Sequence, residues 1–185
     1  MKIILFGGAF DPPHRGHQQV VKNILQKKIA DELWYVPVGT HDFQKEMSSA
    51  EHRVAMLKLI LQDNTRIEDC EINRPGVDHT YDTLNELSDL YPEHEFSFLI
   101  GSDNLEKFHL WGSYEKMLKR YKFYVYPRKN FPMKLLNNMI ALKNFSEIDV
   151  SSTQIRSLVE NGKSVEELVG LEMAEYIKKN NLYKK

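Results

Sequence analysis

A single cysteine, Cys70, among 185 residues rules out a disulfide within the chain and any zinc site built on cysteine pairs. A reducing, cytoplasmic setting suits such a chain. No apolar run approaches the roughly 18 residues that cross a bilayer, and the first residues lack a basic segment followed by a long apolar stretch and a small-residue cleavage site. The expectation is a protein that neither spans a membrane nor is exported by that route. Charge of one sign is missing too: 26 acids face 25 Lys and Arg, a formal net charge of −1, which argues against nucleic acid as the partner. Any phosphate site must be local. Neither GxGxxG nor GxxxxGK[ST] occurs, so the template is neither a dinucleotide cradle nor a P-loop.

What is present is an alternation of short apolar runs and segments of helical period, the pattern of βα units on a parallel sheet. Strands are predicted at Lys2–Phe6, Glu32–Val36, Arg66–Ile72, Glu95–Ile100 and Lys122–Tyr126, the third containing Cys70. Between them, Val20, Val21, Ile24, Leu25 and Ile29 fall on one helical stripe, and Tyr81, Leu84, Leu87 and Tyr91 on another. Trp34, inside a strand, is assigned to the core. After Pro127 the pattern predicts a short strand ending at Val150 and two final helices, Ser152–Asn161 and about Leu171–Lys179. The length suits one domain over residues 1–185. The predicted class is α/β, an open doubly wound parallel sheet with a helical C-terminal region. Such sheets bind ligands outside the carboxyl ends of their strands, with phosphates directed to helix N-termini.

Three stretches follow predicted strands and carry candidate chemistry. In GGAFDPPHRGH the paired glycines let the backbone turn tightly, so that the amides of Gly8, Ala9 and Phe10 can face a phosphate. His14 and His17 then lie three residues apart around the first turn of a helix, near the positive end of its dipole. A solvated pair of histidines is the plain alternative. A metal is disfavoured there, because no third ligand has suitable spacing and the helix N-terminus repels a cation. In VSSTQIR, Ser151 and Gln154 read as a capping box, with Ser152 and Thr153 adding hydroxyls. Arg156 sits close to a helix N-terminus, a poor place for a cation unless an anion is brought there. In EFSFLIGSDNLEKFHLW, Asp103 after Gly101 is placed either to cap a helix or to accept a ribose hydroxyl, and Trp111 either to pack or to stack on an aromatic ligand.

With GGAFDPPHRGH and VSSTQIR on one chain, the sequence resembles the nucleotidyltransferases that carry an H-x-G-H signature and an S-S-T-x-I-R partner. More narrowly it resembles the bacterial nicotinate mononucleotide adenylyltransferases, through EHRVAMLKL, RPGVDHTYDTL, FLIGSDNLEKFHLW, YPRK and YIKKNNLY in that order. The resemblance implies a Rossmann-like nucleotidyltransferase fold and adenylyl transfer from ATP to nicotinate mononucleotide, with Mg²⁺ carried on the ATP phosphates and no metal site of the protein's own. It implies that Gly8, Ala9, Phe10, His14 and His17 hold phosphates, and that Ser152, Thr153, Ile155 and Arg156 complete the nucleotide site. Gly101 and Asp103 would then lie at the adenosine, Trp111 at the pyridine ring, and His79 and Thr80 at the pyridine carboxylate. His14, His17 and Arg156 are the residues expected to carry catalysis.

Departures from that pattern fall on the acceptor side. Asp78-His79-Thr80 stands where the family usually has Ser-Tyr-Thr, and VPVGTHDFQKEM replaces a Pro-Pro-His-Lys, leaving Lys45 as the nearest phosphate-binding lysine and His41 as a stand-in histidine. Other acceptors remain open, namely nicotinamide mononucleotide or phosphopantetheine, as does a regulator that binds nucleotide without turnover. The acceptor phosphate is already ionised near neutral pH, its second pKa being about 6, so no base is needed. The expected mechanism is in-line displacement by positioning and electrostatics, without a covalent enzyme intermediate.

Overall fold

Ile3, Ile4, Leu5 and Phe6 are each at most 3% exposed, so both faces of the first strand are covered, as an inner parallel strand requires. The computed structural model describes residues 1–39, 47–74, 76, 79–146 and 149–184. In chain order the elements are β1 (Lys2–Gly8), α1 (Arg15–Gln26), β2 (Glu32–Pro37), α2 (Ala50–Lys58), β3 (Thr65–Ile67), α3 (Cys70–Asn73), α4 (Thr80–Leu90) and β4 (Glu95–Gly101). A 3₁₀ segment (Ser102–Leu110) leads to α5 (Tyr114–Arg120), β5 (Lys122–Tyr126), β6 (Met139–Ala141), α6 (Ser152–Glu160), α7 (Glu166–Val169) and α8 (Leu171–Lys179). All neighbouring strands pair in parallel, in the order β3-β2-β1-β4-β5-β6. The order reverses between β1 and β4, so a crevice opens beyond Gly8 and Gly101.

Helices cover both faces because each predicted stripe is buried. Val20, Val21 and Ile24 of α1 join Ile4, Phe6, Ile155 of α6, Val169 of α7 and Ile177 of α8 in one apolar layer. Leu84 and Leu87 of α4 join Ile3, Leu5, Trp34, Phe98, Phe108 and Phe123 in the other. Trp34 is 1% exposed and donates its indole N–H to Glu32 Oε2 at 2.7 Å, as a core tryptophan needs.

Three local expectations are corrected. The third strand stops at Ile67, and Cys70 opens the short helix α3, where burial and the carboxylates of Glu68, Glu71 and Glu86 push its thiol up to about 12. The strand predicted to end at Val150 is not formed among the described residues; the sixth strand is Met139–Ala141 instead. Four residues, Glu166–Val169, form a helix the sequence reading had not marked.

Gly7 decides how closely β1 meets β4. A Cβ at that position would lie 2.6 Å from Phe98 Cζ, inside any real contact distance. Gly7→Ala is expected to destabilise the fold by about 1–3 kcal/mol through overpacking, seen as a lower urea midpoint at unchanged slope. An unchanged midpoint would show that Phe98 moves aside freely.

Candidate active site

Beyond the carboxyl ends of β1 and β4 lies a cavity of about 300 Å³, bordered by Gly8, Ala9, His14, His17, Asp103, Arg128, Ser152, Thr153 and Arg156. That volume is at the small end of the range for ligand sites. Eight of the sequence-predicted residues therefore meet on one wall set, although residues 17 and 152 are far apart in the chain.

Their geometry is fixed locally. His14 is the N-cap of α1, extended at φ −147°, and its N–H donates to His17 Nδ1 at 3.2 Å. With Nδ1 accepting, a neutral His17 must carry its proton on Nε2. The two imidazoles stack at 3.7 Å with 19° between planes. His14 is 1% exposed, and its Nδ1 has no hydrogen-bond partner. Ser151 caps α6 by accepting from Gln154 N–H at 3.2 Å, half of the predicted box. Ser152 Oγ donates to Pro12 O at 2.8 Å, and Arg156 Nη1 to Asp11 O at 2.7 Å. The α6 N-terminus is thereby stapled to the loop after β1. Arg156 Nη2 also donates to Thr153 Oγ1 at 3.3 Å, so the guanidinium is held along the cavity edge.

Some predicted residues stand elsewhere. Phe10, in the left-handed region at φ +50°, turns its ring into the core 5.5 Å from both Phe6 and Tyr35, and Ile155 is fully buried in the same layer. For both, any role at the site falls to the main chain. Gly101 does not border the cavity; a Cβ there would collide first with the Asp103 carboxylate and would lie 3.0 Å from Arg128 Cγ and 3.1 Å from Tyr126 Cζ, so its bareness leaves room for the Asp103 side chain above all. His79, Thr80 and Trp111 form a separate group. His79 occupies the N-cap position of α4 without a side-chain capping bond, Thr80 begins the helix, and the His79 ring lies against Gly112, which follows Trp111. Trp111 is half-buried, tilted 34° against Phe108 at 5.1 Å and edge-on to Phe98. Lys45, His41 and Asp78 lie outside the described residues.

A family model described as cytidylyltransferase-like matches residues 5–158. The probable nicotinate-nucleotide adenylyltransferase of Bacillus licheniformis is 34% identical over 98% of each chain. The chain belongs to the cytidylyltransferase-like family, in its nicotinate-nucleotide adenylyltransferase branch. A second relative in that branch, the nicotinate-nucleotide adenylyltransferase of Bacillus subtilis, is 32% identical over 98% of each chain. The Plasmodium falciparum nicotinic acid mononucleotide adenylyltransferase complexed with NaAD has the same fold, with a TM-score of 0.85 at 24% identity over 98% of this chain and 97% of that one.

Within this branch's signature pattern, the sequence reading missed Arg128. It stands just past the end of β5, in YPRK, where the strand-end rule applies as it does to Gly8 and Asp103. Its Nη1 donates to Val150 O at 3.0 Å, and its Nε lies 3.8 Å from Asp103 Oδ1. The guanidinium also acts on both histidines. Burial first, then the Arg128 charge, lowers His14 from its ordinary 6.5 to about 3; burial, His14 and Arg128 lower His17 well below its ordinary value. Both imidazoles are therefore neutral in the ligand-free site at pH 7.

This has a consequence for stability. Unfolded, His14 takes up a proton as pH falls through about 6.5, while the folded chain resists until about pH 3. Its contribution is present above 6.5 and is lost progressively below it, at up to about 1.4 kcal/mol per pH unit. His14→Gln is expected to flatten the decline in unfolding free energy between those limits. Parallel declines in variant and wild type would contradict a neutral buried His14.

Proposed function

We propose that this chain transfers the adenylyl group of ATP to nicotinate mononucleotide, giving nicotinate adenine dinucleotide and pyrophosphate, a step of NAD biosynthesis. One observation carries the reading: at the sheet's switch point, two stacked neutral imidazoles, two guanidiniums and the Gly8–Ala9 main chain border a single small cavity. That set suits a polyanion. It lacks a nucleophile–base pair, which fits a reaction whose nucleophile arrives already charged.

The acceptor's phosphate oxygen attacks the α-phosphorus of ATP, the bond from that phosphorus to the bridging oxygen breaks, and its electron pair leaves on pyrophosphate. No proton need move. His17 donates through Nε2–H, and Arg156 and Arg128 meet charge that grows on the leaving group. Asp103 is assigned the ribose, Trp111 the pyridine face, and the α4 N-terminus at His79 and Thr80 the pyridine carboxylate. Lys45 is assigned the acceptor phosphate.

Magnesium fits as a companion of ATP. Asp11, the buried carboxylate on the cavity edge, already accepts from Tyr183 and from Ser48 N–H, and Asp103 faces Arg128, so the donor set here favours an anion that brings its own counter-ion. Mg²⁺ on the phosphates would supply charge neutralisation of the triphosphate. A cytoplasmic setting accords with one cysteine, and among the described residues no helix is long and apolar enough to cross a membrane.

The test is pyrophosphate release with ATP and Mg²⁺ against nicotinate mononucleotide, nicotinamide mononucleotide and phosphopantetheine. Release with the first is expected; release with none would leave a nucleotide-binding regulator. His17→Ala and Arg156→Ala are each expected to lower kcat by about 10²-fold or more while circular dichroism is unchanged. Wild-type rates in both variants would overturn the assignment.

A further inference from the structure

We propose that Tyr183, in the segment after α8, is a positioning residue for the phosphate cradle: its hydroxyl holds the Asp11 carboxylate and thereby fixes the loop that carries Ala9 and the anchor of Arg156. The proposal rests on the reading of that cavity as the ATP site.

Tyr183 Oη donates to Asp11 Oδ1 at 2.6 Å, joining residues 172 positions apart. Asp11 is only 2% exposed, and its other oxygen accepts from Ser48 N–H at 3.2 Å. The main chain on either side of it is the cradle itself. The Asp11 carbonyl accepts from Arg156, the Pro12 carbonyl from Ser152, and the Ala9 carbonyl from Arg53 Nη1 at 3.1 Å. Arg53, itself 2% exposed, completes the brace by donating from Nε to Ser48 O at 3.2 Å. The loop is thus held from three sides, by α2, by α6 and by the segment after α8. Only the last of these reaches the Asp11 side chain by a hydroxyl.

Two features mark this bond as more than packing. Tyr183 holds a left-handed backbone, φ +61°, which a bulky side chain adopts only when its surroundings over-determine it. Burial and the adjacent Asp11 charge also push its phenol above its ordinary value, so it stays a donor across the working range of pH. Without that donor a buried carboxylate loses one of its two hydrogen-bond donors among the described residues, keeping Ser48 N–H and the nearby Arg53 charge, and the strand-to-helix loop gains a route to shift. A displacement of about 1 Å at a phosphate cradle is costly, since transfer depends on position. Tyr183 does not itself border the cavity and acts through Asp11.

Tyr183→Phe keeps the ring and removes the hydroxyl. Calorimetry with a non-hydrolysable ATP analogue should show about tenfold weaker binding, and steady-state kinetics a kcat reduced about tenfold or more, while KM for nicotinate mononucleotide stays within about twofold. Leu182→Ala thins the same packing but keeps the hydroxyl, so it should lower Tm without changing analogue affinity or kcat. Wild-type affinity and kcat in Tyr183→Phe, or an equal loss of affinity in Leu182→Ala, would reduce Tyr183 to a packing residue and overturn the proposal. If the wild type binds the analogue but transfers nothing to nicotinate mononucleotide, the proposed reaction fails, and the affinity comparison alone still decides the role of Tyr183. No analogue binding by the wild type overturns both.

Discussion

Arg156 reaches the carbonyl of Asp11 at 2.7 Å across 145 residues of chain, and everything at the cavity depends on that junction. The loop after β1 and the N-terminus of α6 each offer main-chain donors and a partial positive charge, but neither alone surrounds a phosphate. Joined, with Ser152 bonded to Pro12 O beside them, they form facing walls. The parallel sheet makes the junction possible. Because the strand order reverses between β1 and β4, the elements leaving the two halves part at one point, and the gap beyond Gly8 and Gly101 is left for ligand.

Electrostatics within the walls is graded. Arg128 and Arg156 contribute guanidiniums, whereas the stacked histidines are kept neutral by burial and by the neighbouring Arg128. Four cations crowded into about 300 Å³ would repel one another before a nucleotide arrived. Two cations with two neutral donors hold together in its absence. The cost falls on the buried imidazoles, and His14, with an unpartnered Nδ1, shows it most plainly.

Much of this was legible in the sequence. The inner strands read correctly because Ile3–Phe6 is a continuous apolar run and Phe96–Ile100 is apolar except at Ser97, and the stripes of α1 and α4 are regular enough to name their buried faces. Both halves of the anion site follow strands or cap helices, so they could be located without a structure. The misses share a cause, which is that tertiary pairing overrides local propensity at the sheet's edges. β3 lies at one edge and is only three residues long, so Glu68–Ile72, apolar in alternation, is free to turn into α3. β6 lies at the other, in a stretch where Met139–Ala141 and the residues before Val150 read alike. Arg128 was missed because its residue type appears beside a lysine at a strand end, where a solvated cation is the ordinary expectation. The stapling roles of Ser152 and Arg156 toward Pro12 and Asp11 carry no local signal at all, since they exist only between loops.

Trp111, proposed above to take the acceptor together with His79 and Thr80, packs on the other face's core at Phe98 and Phe108, and Gly7 brings that core close to β1. On the assignments proposed above, the ATP phosphates lie beside the layer of Phe6 and Ile155 and the pyridine ring beside that of Phe98 and Phe108, and transfer would depend on holding the two substrates in line between them. The most direct measurement is the stereochemical course with a single diastereomer of ATP thio-substituted at the α-phosphorus and nicotinate mononucleotide as acceptor. One displacement between two clamped anions predicts inversion at phosphorus. Retention would mean two displacements through a covalent enzyme intermediate, and would contradict the account.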